Sequence, residues 1–161
     1  MFETEIKINR FLMQYCRMLT GDVPDERFAE RPIPGVNHPA WIVGHLAVST
    51  DSANALLGGQ KVLSETWGRL FGRGSKLCSS RAEYPAKDEL LQAVEAGFQR
   101  ACEIAATVSS ECTARPNPNP ILKESLPTAG DAFAFVLTSH FAAHLGQLSA
   151  WRRMIGLPPL F

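Results

Sequence analysis

The sequence predicts an all-α fold, a four-helix bundle, and three observations carry that reading. Four stretches of about 18–28 residues repeat apolar side chains at spacings of three and four, the signature of one helical face. No stretch alternates apolar and polar residues with a period of two, so strands have no support. Proline, glycine and polar residues gather between the four stretches, where chain reversals belong. Amphipathic helices of this kind bury their apolar faces by packing on one another.

In the first helix Ile8, Phe11, Leu12, Tyr15, Cys16 and Leu19 form the inward row, and Gly21 ends it. A proline-rich link, residues 21–36, follows. The second helix opens with Asn37 as N-cap and Pro39 in the first turn. Trp41, His45, Val48, Ser52 and Leu56 then share a face until Gly58 and Gly59 break it. The connection at 58–86 is the longest. It holds WGRLF (67–71), which reads as a short extra helix, and then the flexible GRGS. A link of this length can cross the bundle instead of joining antiparallel neighbours. The third helix spans 87–109, with Leu90, Leu91, Val94, Phe98, Ala101, Ala105 and Val108 inward. After a second polar link at 110–127, Thr128 and Asp131 make a start resembling a capping box, a motif that prefers Glu or Gln at its far position. The fourth helix occupies 129–156. Its stripe is Phe133, Leu137, His140, His144, Leu148, Trp151 and Ile155, and Gly156 with Pro158-Pro159 stops it.

At 161 residues the chain is sized for one domain spanning 1–161, with enough length to close a core without staples. Sixteen basic residues balance sixteen acidic ones, so nothing favours binding to a phosphate backbone, and nucleic acid is not an expected partner. Glu3, Glu5, Lys7 and Arg10 interrupt the N-terminus, which lacks the apolar run of a secretory signal. No stretch of about 18 apolar residues exists to span a membrane. Cys16, Cys78, Cys102 and Cys112 are scattered, without a CxxC pair, as free thiols in a reducing compartment would be. The expectation is a soluble cytoplasmic protein.

The segment HFAAHLGQL (140–148) sets two of only four histidines on the apolar stripe of the fourth helix. Residues four apart on a helix point the same way with Cβ atoms about 5–6 Å apart, so two imidazoles can converge on one cation. A buried imidazole without an ion still needs partners for its ring nitrogens. His45, on the inward row of the second helix at a comparable depth, is the candidate third ligand if the two helices run parallel. His38 is a poor substitute, because seven residues separate it from His45, roughly 10 Å along the axis. The competing reading makes each ring an ordinary core histidine bonded to a neighbour. No Asp or Glu shares these rows, which disfavours a carboxylate-rich di-iron site.

Three segments, NHPAWIVGHLAVSTD (37–51), WGRLFGRGS (67–75) and DAFAFVLTSHFAAHLGQLSAWRRMIGLP (131–158), resemble the DinB family of metal-binding four-helix bundles. The most specific elements are W-x3-H in the second helix and H-x3-H-x-GQ in the fourth. The resemblance implies an up-down-down-up bundle, a divalent metal held by His45, His140 and His144, and a homodimer. It implies chemistry like that of thiol-dependent transferases, with a low-molecular-weight thiol, or alternatively water, activated at the metal for attack on a small-molecule substrate. Zinc or nickel is the expected ion; iron and manganese also accept imidazole. The alternative is a non-catalytic or stress-associated metal-binding protein in which the ion is structural.

Other residues read more plainly. Gln147, after the second helical histidine, packs at the edge of the stripe or supports a ligand from behind. Arg69, Arg73 and Lys76 are solvated loop charges or hold the carboxylates of a thiol cosubstrate. Arg152 and Arg153 complement the helix dipole. Trp41, Trp67, Phe71 and Trp151 read as core, as do Cys16 and Cys102. Ser49 and Ser52 share a helix with His45, without the makings of a Ser-His-Asp arrangement.

Overall fold

In a computed structural model that describes residues 1–160, the chain is helical, with no β-strand among those residues. The long helices are α1 (Glu3–Gly21), α2 (Pro39–Leu56) and α4 (Lys87–Thr107). The crossover contains α3 (Glu65–Phe71), where WGRLF was expected to turn, and the 110–127 link contains the single turn α5 (Ser110–Thr113). The last helix is made of three parts. α6 (Ala129–Phe135) passes into a π-helical turn (Val136–His140) and then into α7 (Phe141–Met154). α2 packs most extensively on α4 and also meets α3, α6, the π-turn and α7, while α1 packs on α7, the π-turn and α4. No described helix is long and apolar enough to cross a membrane.

The capping box at the start of α6 is present. Thr128 Oγ1 accepts from Asp131 N–H, and Asp131 Oδ2 accepts from Thr128 N–H. The shorter Asp thus does what Glu or Gln usually does. The cap of α2 is a correction. His38, not Asn37, caps it, its Nδ1 accepting from Trp41 N–H at 3.1 Å.

The inward row of α1 also needs correcting. Leu12, Cys16 and Leu19 are buried as expected, but Ile8 and Phe11 are 43% and 57% exposed. Asn9 and Met13 lie inside instead, so the buried face is turned by about one residue. On α4, Leu90, Val94, Ala101 and Ala105 are buried as expected, and Gly97 joins them. An added Cβ at Gly97 would stand 3.3 Å from Thr50 Cγ2, so the glycine lets α2 and α4 approach closely.

Two ion pairs, each with one buried partner, tie helices to their neighbours. Asp51, on α2, meets Arg100 of α4 at 3.0 Å and accepts from the backbone N–H groups of Val62 and Leu63, anchoring the start of the crossover. Arg152 is not a helix-end charge in solvent. It is 1% exposed, forms a forked pair with Asp22 and donates to Leu19 O, joining the end of α7 to the end of α1. All four cysteines are free thiols, and burial pushes Cys16 up to about 12.

Candidate metal centre

α2 is buried along most of its length, yet one of its rows faces open space. Trp41, His45, Val48, Ser52 and Leu56 all line one cavity of about 990 Å³. The row read from the sequence as facing a core therefore faces this cavity. Its other walls are Gly72–Gly74, residues 117–122, and Phe135, Val136, His140 and His144 from the last helix.

The three expected histidines meet on its wall. Each offers a ring nitrogen, and the three nitrogens lie within 4.8 Å of one another. Ring centroids are 4.6 Å apart for His140 and His144, 4.7 Å for His45 and His144, and 5.2 Å for His45 and His140. No cysteine or carboxylate belongs to the group. His38 is elsewhere, as the axial distance required; its Nε2 pairs with Tyr84 Oη at 3.2 Å.

His45 is held for ligation through one nitrogen. Its Nδ1 lies 2.7 Å from the Phe71 carbonyl oxygen, which can only accept, so the ring proton sits on Nδ1 and Nε2 carries the lone pair. Phe71 can come this close because residue 44 is glycine. A Cβ there would fall 2.3–2.5 Å from the Phe71 ring. Trp41 stacks on the His45 imidazole at 4.6 Å and 7°, and donates through Nε1 to Ser75 Oγ at 2.7 Å. The indole is thus a support for the ligand as well as a buried residue.

The spacing fits an ion. His45 Nε2 and His140 Nε2 are 3.2 Å apart. Two nitrogens each about 2.0–2.1 Å from a tetrahedral ion stand about 3.3 Å apart. Nδ1 of His140 and of His144 is buried without a hydrogen-bond partner, so no protein group fixes the tautomer of either ring as Phe71 O fixes that of His45. Burial, with the neighbouring imidazoles adding to it, pushes His140 down to about 3 and His144 to about 4; burial also lowers His45. All three are therefore neutral at physiological pH, the state that binds metals.

The surrounding residues divide. Ser49 Oγ stands 3.4 Å from His45 Nε2, and Ser49 and Ser52 both line the cavity. Arg73 and Lys61 are exposed residues on its lining. Arg69 instead donates to Thr66 Oγ1, and Lys76 is not among the lining residues. Gln147 is exposed; its Oε1 accepts from Asn37 Nδ2 at 3.0 Å, and its polar contact with His144 partly offsets the downward shift of that ring. Trp67 packs on Phe71, Trp151 is buried and donates to Glu30 O, and Cys102 is only half-buried.

Sequence reasoning missed Gly44, Phe71 O and residues 117–122. A glycine one residue before the histidine was the available signal for the first of these. The sequence model of the DinB superfamily matches residues 12–148, which include all three histidines. The chain belongs to the DinB superfamily. No curated protein matches it. The helical fold and the histidine group are both in keeping with the family; the group can hold a metal ion, and its donors do not select one.

Proposed function

We propose that this DinB-superfamily protein is a metal-dependent enzyme that activates a low-molecular-weight thiol, or failing that water, at a centre formed by His45, His140 and His144. The up-down-down-up bundle belongs to the same reading. The observation that carries it is the convergence of three neutral imidazoles on the wall of a cavity large enough for small molecules. A divalent cation, zinc or nickel by preference, would retain its full charge on three neutral ligands and lower the pKa of a thiol or water brought to it.

The protein's own residues do the rest. Phe71 O keeps the His45 proton on Nδ1, and the Trp41 indole covers that ring from one side. Leu56, Pro118, Ile121 and Phe135 form apolar walls for an organic substrate. Arg73 and Lys61 hold the anionic end of a thiol cosubstrate at the lining. A purely structural ion is the alternative, and it would call for a fourth protein ligand, which the described group lacks.

The test is elemental analysis of protein purified without an affinity tag, followed by thiol-conjugation assays with common cellular thiols. The expected result is about one divalent ion per chain and thiol consumption that disappears on chelation. Metal bound without turnover of any thiol or hydrolysable substrate would favour the structural alternative.

A further inference from the structure

The last helix carries a device that the histidine spacing alone does not reveal. An α-helix turns about 100° per residue, so residues four apart drift about 40° per step and about 120° over three steps. Phe133, Leu137, Phe141 and Leu145 are nevertheless all at most 1% exposed. The π-turn at Val136–His140 absorbs the drift. It ends on His140 and so sets the direction in which His140 and then His144 leave the helix.

A widened turn leaves a carbonyl without its regular partner. In an unbroken α-helix Leu137 O would accept from Phe141 N–H. Here Phe141 N–H turns to Thr138 O instead. The Leu137 carbonyl is taken by Asn9, which reaches from α1 and donates through Nδ2 at 2.5 Å. Asn9 is fully buried, and it is the polar residue that displaces the expected apolar ones from the inner face of α1. On the same turn Thr138 Oγ1 donates back to Ala134 O at 2.7 Å.

We propose that Asn9 is a positioning residue for the three-histidine centre, holding the π-turn open by satisfying Leu137 O and so aiming His140 at His45. This inference rests on the metal-centre reading above. An unsatisfied carbonyl at this depth is costly, so without a donor the turn would relax toward regular α-helix and rotate the residues after it. Thr138 gives weaker support to the same widening.

The experiment compares wild type, Asn9→Leu, Thr138→Val and His140→Ala by titration with Co²⁺, reading affinity and visible ligand-field bands, with far-UV circular dichroism reporting fold. Wild type should bind one Co²⁺, and His140→Ala should not. Asn9→Leu should keep its helix content, bind Co²⁺ about tenfold to a hundredfold more weakly, and show displaced bands. Thr138→Val should move both readouts the same way by less. A folded Asn9→Leu with wild-type affinity and spectrum overturns the inference while leaving the metal centre intact. If Asn9→Leu does not fold, Thr138→Val decides, an unchanged spectrum counting against the proposal. If wild type takes up no Co²⁺, the metal reading falls. The role of Asn9 is then judged on amide hydrogen exchange in folded Asn9→Leu, where faster exchange confined to residues 136–141 supports it and an unchanged pattern overturns it.

Discussion

A buried imidazole caps α2 and a half-buried one lies two turns into it, and they differ in how their nitrogens are used. At the start of the helix, His38 Nδ1 accepts from Trp41 N–H and its Nε2 meets Tyr84 Oη, which in turn accepts from Cys78 N–H. Two turns later His45 spends Nδ1 on Phe71 O and presents Nε2 to His140, while His140 and His144 each leave Nδ1 unpartnered. Burial depresses the basicity of both regions, down to about 4 for His38 and about 3 for His140. A depressed pKa therefore does not distinguish them. What distinguishes them is grouping: His38 stands alone with both nitrogens met by protein partners, whereas His45 turns a free nitrogen toward two further imidazoles.

The largest test of that contrast is removal of ligands. His140→Ala or His144→Ala should abolish stoichiometric metal, and His45→Ala should weaken it severely, by elemental analysis after dialysis. Full occupancy in all three variants would overturn the assignment. His38→Ala should leave metal content unchanged, yet cost about 2 kcal/mol of stability in urea unfolding, through the lost cap and the stranded Tyr84 hydroxyl.

Acid sharpens the same comparison. His38, His140 and His144 have folded values of about 4, 3 and 4, below the unfolded value of about 6.5. Between those limits the unfolded chain binds more protons, so acid favours unfolding. The metal-free protein should be fully stable above about pH 6.5 and lose stability steadily as pH falls toward 4, in thermal melts across that range. His140→Ala should flatten this slope. A slope unchanged by that substitution would break the argument that the ring is buried neutral.

Gly44→Ala probes the support behind His45. Its new methyl would collide with the Phe71 ring, so a loss of about 1–3 kcal/mol is expected, together with weaker metal binding, because Phe71 carries the carbonyl that fixes the His45 tautomer. Normal metal affinity in that variant would mean that the carbonyl is dispensable. The smallest effect belongs to Asn37→Ala. With His38 serving as the cap and Asn37 making only an exposed bond to Gln147, stability should change by less than about 0.5 kcal/mol, and a larger loss that Gln147→Ala does not reproduce would restore Asn37 to the capping role.

The pairing of His140 with His144 was legible because helical spacing turns sequence distance directly into direction; His45 joined them only on the condition of parallel helices and through the resemblance to the DinB family. The helix positions, the short helix at WGRLF and the capping box at Thr128 and Asp131 were legible for the same local reasons. What escaped depends on contacts between distant segments. Asn9 displaces Ile8 and Phe11 from the inner face of α1 because a carbonyl 128 residues away needs a donor. The π-turn cannot be read from a stripe that already looks regular at four-residue steps. Arg152 reads from the sequence as a complement to the helix dipole, and its pairing with Asp22 and Leu19 O depends on a segment 130 residues away. Asn37 is a better N-cap than His38 by general preference, and Tyr84, far along the chain, reverses the choice by fixing the His38 ring.

The parallel stack of Trp41 on His45 has a practical consequence. Indole emission is quenched by a protonated imidazole or an open-shell ion at short range, so the fluorescence of this tryptophan should follow loading with Co²⁺ or Ni²⁺ and acidification of the ring beneath it. Trp67 and Trp151, both absent from the cavity walls, supply a steady background. The molecule thus contains its own optical gauge, one that works without a label or a known substrate.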